Sequence, residues 1–78
     1  MSNDEFLDII ATLCAPDEGY YPKMPMSKRM TELWWTTLRE FPAERFLQVI
    51  NKYAMQNPIY PPSLADIVER MKPRGVVL

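Results

Sequence analysis

The sequence has no histidine, one cysteine and two glycines, and no apolar run approaches the roughly 20 residues of a membrane span. Each absence removes a class of function. Without histidine the commonest general base and the commonest metal ligand are missing. Cys14 has no partner for an internal disulfide and cannot by itself hold zinc. Gly19 and Gly75 are isolated, so no glycine-rich loop exists to cradle a phosphate. The carboxylates fall on expected solvent faces or helix caps, where their acidity stays ordinary, and no serine or threonine has a suggested base partner. The expectation is a non-enzymatic protein with no cofactor and no metal. Asp4, Glu5 and Asp8 make the N-terminus acidic, the reverse of a secretory signal. A lone thiol suits a reducing cytosol, so the expected location is cytoplasmic.

What is abundant is apolar mass and proline. Of the 78 residues, 47% are hydrophobic and 12% aromatic, enough for one compact core in one small domain. Eight prolines are about twice the usual share, so the connections are stiffened. The net charge of -1 conceals an asymmetry: residues 1 to 20 carry five acids and no base, whereas all nine lysines and arginines lie beyond them. Ordinary surface charge with helix-end tuning accounts for this; an oriented docking surface is the functional alternative.

Periodicity predicts four helices. Ser2 and Glu5 form a capping-box pattern ahead of Phe6, Ile9, Ile10 and Leu13, which predicts a helix over about residues 3 to 14, stopped by Pro16. Residues 15 to 26 read as a loop. It has a turn at Asp17-Glu18-Gly19, extended chain over Tyr20 to Pro25, and Tyr and Met side chains folded back as a lid on the core. Ser27 caps a second helix over about 28 to 40, with Met30, Leu33, Trp34, Thr37, Leu38 and Phe41 as its apolar stripe. Pro42 suits the first turn of a third helix over about 43 to 56, with Phe46, Val49, Ile50, Tyr53 and Ala54 inward and Leu47 at the border. Asn57-Pro58 ends it, and Pro58 to Pro62 should cross in extended form. Ser63 and Asp66 box a fourth helix with Leu64, Ile67, Val68 and Met71 inward, stopped by Pro73. No alternating strand pattern occurs. The expected fold is all-α, a compact four-helix domain over residues 1–73 with two proline-rich extended connections, followed by a frayed tail or truncation point at 74–78.

Candidate binding residues follow from this layout. Trp34 and Trp35 point about 100° apart on a helix. Trp34 lies on the stripe; Trp35 lies beside it, near Lys28, Glu32 and Arg39. Either the tyrosine-proline loop or the fourth helix covers Trp35, or it is a half-exposed aromatic anchor at an interface. Arg70, Lys72 and Arg74 gather at the end of the fourth helix, where they complement its dipole or meet an acidic or phosphate partner. Met30 and Met71 fit core stripes, while Met24 and Met26 fill gaps or give an adaptable contact surface. A helix-turn-helix reading fails on chemistry. The third helix would open with Pro42-Ala43-Glu44-Arg45, the turn has no glycine, and the overall balance is acidic, so direct nucleic-acid contact is not expected.

Taken in order, these features resemble the phage replicative-helicase loader/inhibitor family of Gram-positive phages over about residues 5 to 71. The series runs from a short helix to the Tyr21-Pro22 loop, then to a helix ending in Leu38 with Trp34 or Trp35 as its aromatic. Pro42-Ala43-Glu44 opens a helix containing Tyr53, and Pro61-Pro62-Ser63-Leu64-Ala65-Asp66-Ile67 follows. The resemblance implies a small helical N-terminal domain in a protein that binds a hexameric replicative helicase, holds it inactive and delivers it to an origin complex. Members often carry an unstructured C-terminal part, so a chain ending at Leu78 is expected to be the ordered domain of a longer protein or a relative lacking that tail. The implied role is an adaptor in phage DNA replication that binds the helicase or its loading machinery. Trp35, Arg39, Tyr60, Arg70 and Lys72 are the partner-binding candidates. A DNA-binding regulator and a homodimer built on the Trp35 face are the alternatives.

Overall fold

The computed structural model describes residues 1–72. Four helices follow one another: α1 Asn3–Cys14, α2 Lys28–Leu38, α3 Ala43–Gln56 and α4 Leu64–Met71. Among the described residues there is no strand. The four-helix, all-α expectation is met. The expected stop at Pro73 and the tail at 74–78 lie outside the described residues.

Caps set the boundaries. The Ser2 hydroxyl accepts from the Glu5 amide at 3.1 Å, and the Glu5 carboxylate accepts from the Ser2 amide at 2.8 Å, satisfying two donors at the start of α1. Ser63 and Asp66 repeat the device at α4, at 3.2 and 3.1 Å. Ser27 caps α2 by accepting from the Met30 amide at 3.1 Å. Pro42 stands at the N-cap of α3, one position earlier than expected, with φ -65° and ψ 140°.

α2 ends at Leu38 rather than near residue 40. The residue before a proline avoids helical geometry, so Phe41 cannot continue the helix toward Pro42. The chain turns instead, with the Phe41 amide donating to the Leu38 carbonyl at 3.0 Å. The Met1 ammonium donates to the carbonyls of Arg39 at 2.8 Å and Phe41 at 3.2 Å, serving oxygens that the helix end leaves open.

α1 and α4 both pack on α3. The core comprises Phe6, Ile9, Ile10 and Leu13 of α1, Trp34 and Leu38 of α2, five residues of α3, Ile67 and Met71 of α4, and Tyr21 from the loop. Phe6 joins three helices: its ring lies 6.0 Å from Phe46 at 15° and 5.3 Å from Trp35 at 56°. Trp34 is fully buried, and its indole N–H finds no acceptor among the described residues. An unsatisfied donor of this kind costs about 1–3 kcal/mol, set against the area its two rings bury.

Part of the expected α2 stripe is wrong. Met30 is 39% and Leu33 50% exposed, and Thr37 is also exposed. The buried positions are Trp34 and Leu38, with Trp35 and Phe41 half-buried against the core. Seating falls on the C-terminal half of α2, where the aromatic side chains reach the core and the smaller thioether and isobutyl groups upstream do not.

The α1–α2 loop folds back along α1. Amides of Tyr20 and Tyr21 donate to the carbonyls of Thr12 at 3.0 Å and Leu13 at 2.8 Å, capping the end of α1. This demands glycine at position 19, because a Cβ there would lie 2.5 Å from the Ala15 nitrogen and 2.6 Å from that of Cys14. Tyr21 is buried, its ring T-shaped to Tyr53 at 6.3 Å and its hydroxyl donating to the Asn57 carbonyl at 2.6 Å. Met24 and Met26 pack on the core, as a lid requires. The Tyr20–Pro25 stretch is not straight: the Met24 amide bonds to the Tyr21 carbonyl at 2.9 Å and closes a turn at Pro22-Lys23. The α3–α4 connection bends at residues 58–60 before reaching the Ser63 cap.

Candidate protein-docking surfaces

The five nominated residues fall in three places. On α2, Trp35 is half-buried, and the ring over it belongs to Phe6 of α1, not to the tyrosine-proline loop or α4. The Arg39 guanidinium sits 5.8 Å from the Trp35 ring centroid, a cation–π approach at the exposed edge. Trp35 therefore contributes to the core with one face and keeps the other partly accessible.

Tyr60 stands on the α3–α4 connection, 73% exposed. It has apolar company there: Ile59 is 76% and Met55 85% exposed. Three large apolar side chains so bare within six positions form a ridge rather than scattered exceptions. Proline at 58, 61 and 62 fixes the backbone that carries the ridge, and Pro62 is buried beneath it. Ile59 also borders an apolar groove of about 420 Å³ between the two proline-bearing connections, walled opposite by Tyr20, Pro22 and Pro25.

Arg70 and Lys72 come together at the end of α4 and are joined by residues the sequence reading did not nominate. α3 and α4 run antiparallel, so the start of α3 meets the end of α4. Arg45 donates through Nε to the Met71 carbonyl at 3.2 Å and through a terminal nitrogen to the carbonyls of Arg70 at 3.3 Å and Lys72 at 3.4 Å. The C-terminal oxygens of α4 are thus capped chiefly from α3, which leaves the cations of α4 largely free of that task. Arg70 lies 4.9 Å from the Tyr53 ring centroid and donates to the Asp66 carbonyl at 3.2 Å. Lys72 makes a solvent-exposed ion pair with Glu69 at 3.9 Å, a contact worth little.

Between these helices runs an open cleft of about 750 Å³. Its α3 wall is Arg45, Gln48, Val49, Lys52 and Gln56, and its α4 wall is Glu69, Arg70 and Lys72. Four cations face one carboxylate in a chain that is acidic overall. The spacing of 45, 48, 49, 52 and 56 is one helix face, and that stripe was readable in the sequence beside the apolar one. Met55 was readable too, as a large apolar residue off the apolar face of α3.

The carboxylates that depart from ordinary acidity do so as caps. Hydrogen bonds from the Ser2 backbone and hydroxyl lower Glu5, and those from Ser63 lower Asp66. Burial raises the Cys14 thiol, and burial together with the neighbouring Tyr53 raises the Tyr21 phenol. Among the described residues no three acidic or thiol groups gather to hold a metal ion, and no helix is long and apolar enough to cross a membrane. The surfaces on offer are an aromatic edge, an apolar ridge and a basic cleft.

No curated protein and no solved structure matches the chain. The family model for the N-terminal domain of the phage helicase-loader/inhibitor protein matches residues 1–68, which span α1 to α3 and the first half of α4. The chain therefore belongs to that N-terminal domain family, a family of phage helicase-associated proteins.

Proposed function

We propose that this domain is a non-enzymatic adaptor in phage DNA replication. It works in the host cytosol by binding the hexameric replicative helicase, or the machinery that loads it, and so alters loading or activity. Family membership supports the helicase association. The observation that carries the adaptor reading is the apolar ridge of Met55, Ile59 and Tyr60 on a proline-braced connection. Holding such side chains in water is unfavourable for a solitary domain and natural for a docking anchor, where aromatic groups and methionine are enriched. Tyr60 is the central anchor, Trp35 and Arg39 form a second contact edge, and Arg70 and Lys72 supply charge recognition.

Size-exclusion chromatography of the domain with the cognate helicase and ATP tests this. Co-elution of wild type, lost on Tyr60→Ala with Ile59→Asp, is the expected result. Absence of co-elution, for this chain and for a full-length version alike, rules the reading out.

A further inference from the structure

We infer that the α3–α4 cleft binds a carboxylate-rich segment of the protein partner. This rests on the adaptor reading and gives the chemistry of one of its contacts. The argument begins with what each cation is doing. Arg45 is committed to the carbonyls at the end of α4, so it fixes the cleft's shape and lends it positive potential. Arg70 is held over the Tyr53 ring, which orients its guanidinium without neutralising it. Lys52 lies two turns along the same α3 face from Arg45, about 10 Å away. Lys72 closes the far wall, its exposed pairing with Glu69 weak enough to exchange for a better partner.

The result is a positive trough in a chain whose net charge is negative. Charge complementarity names the occupant: a segment bearing several carboxylates. A polypeptide fits better than nucleic acid. Nucleic-acid affinity grows with the number of phosphates neutralised, and here Arg45 is already engaged and Glu69 stands on the wall. The acidic remainder of the chain would repel a long phosphate backbone on leaving the cleft. A short acidic segment escapes that repulsion, and the Gln48 amide can pair with its backbone.

The test uses the 78-residue chain and a fluorescein-labelled peptide as long as α3 with glutamate at every third or fourth position. Its glutamine counterpart and an oligothymidylate of similar length are the controls. Fluorescence anisotropy is read between roughly 50 and 200 mM salt. The acidic peptide should bind and weaken with salt, and the glutamine peptide should not bind. Lys52→Glu/Lys72→Glu should weaken binding about tenfold, and the milder Lys52→Gln/Lys72→Gln about threefold, both with unchanged melting. Tyr60→Ala should leave peptide binding unchanged. Equal binding of the two peptides, no binding at low salt, or tighter binding of the oligothymidylate would each overturn the inference. Loss of helicase co-elution with peptide binding intact would instead sink the adaptor reading alone.

Discussion

The guanidinium of Arg45, in the first turn of α3, donates to the carbonyl oxygen of Met71 at 3.2 Å in the last turn of α4. One side chain thereby closes a short helix of 8 residues that is far below the length at which helices persist alone. Arg45→Ala is expected to cost about 1–2 kcal/mol, less than a fully buried charged hydrogen bond because the site is partly wet. Hydrogen exchange should quicken in α4 while α1 is unaffected. Lysine should rescue little, since an ammonium cannot fork to several oxygens.

Capping gives the acid response. Glu5 and Asp66 are both held below their ordinary acidity by the amides they receive. A carboxylate with a depressed folded value contributes stability that is present above its unfolded value and lost as pH falls through the folded one. The melting temperature should therefore hold from neutrality to about pH 5 and drop below about pH 4. Ser63→Ala should cost about 1 kcal/mol at neutral pH and flatten part of that drop. An unchanged acid limb in Ser63→Ala would show that the α4 cap contributes nothing to it.

Gly19 is required for a reason of space. A methyl group would strike backbone atoms at 2.5 to 2.7 Å, and backbone cannot swing aside as a side chain can. Gly19→Ala should destabilise by about 1–3 kcal/mol and loosen the Tyr20 and Tyr21 bonds to α1. Chemical denaturation measures the loss, and exchange at those two amides locates it.

Tyr60→Ala should leave stability within about 0.5 kcal/mol while removing helicase co-elution, because the side chain is 73% exposed. Trp35→Ala behaves differently. Its ring packs against Phe6, so truncation should cost about 1–3 kcal/mol and blur any reading of association. A homodimer built on that face is better tested with Arg39→Glu, in analytical ultracentrifugation.

Local signals made most of the fold legible. The Ser2-Glu5 and Ser63-Asp66 boxes act within four residues, and the α1 and α3 stripes repeat over three or four turns. α2 was harder. Met30 and Leu33 have the right spacing, but a periodic stripe does not say how much of its length another element covers. The candidate sites show the same division. Arg70 and Lys72 were visible as neighbours in sequence, whereas Arg45 and Lys52 joined them through the antiparallel return of α4. That pairing is tertiary, and no window of consecutive residues contains it.

Two adjacent indoles in very different surroundings make this small domain its own instrument. Trp34 sits in a dry interior with its N–H unanswered, so its emission should be blue and should redden when the chain unfolds. Trp35, half open beside a guanidinium, should answer instead to whatever settles on that edge. Replacing one at a time with phenylalanine would let folding and partner capture be followed as separate optical signals, with no label attached.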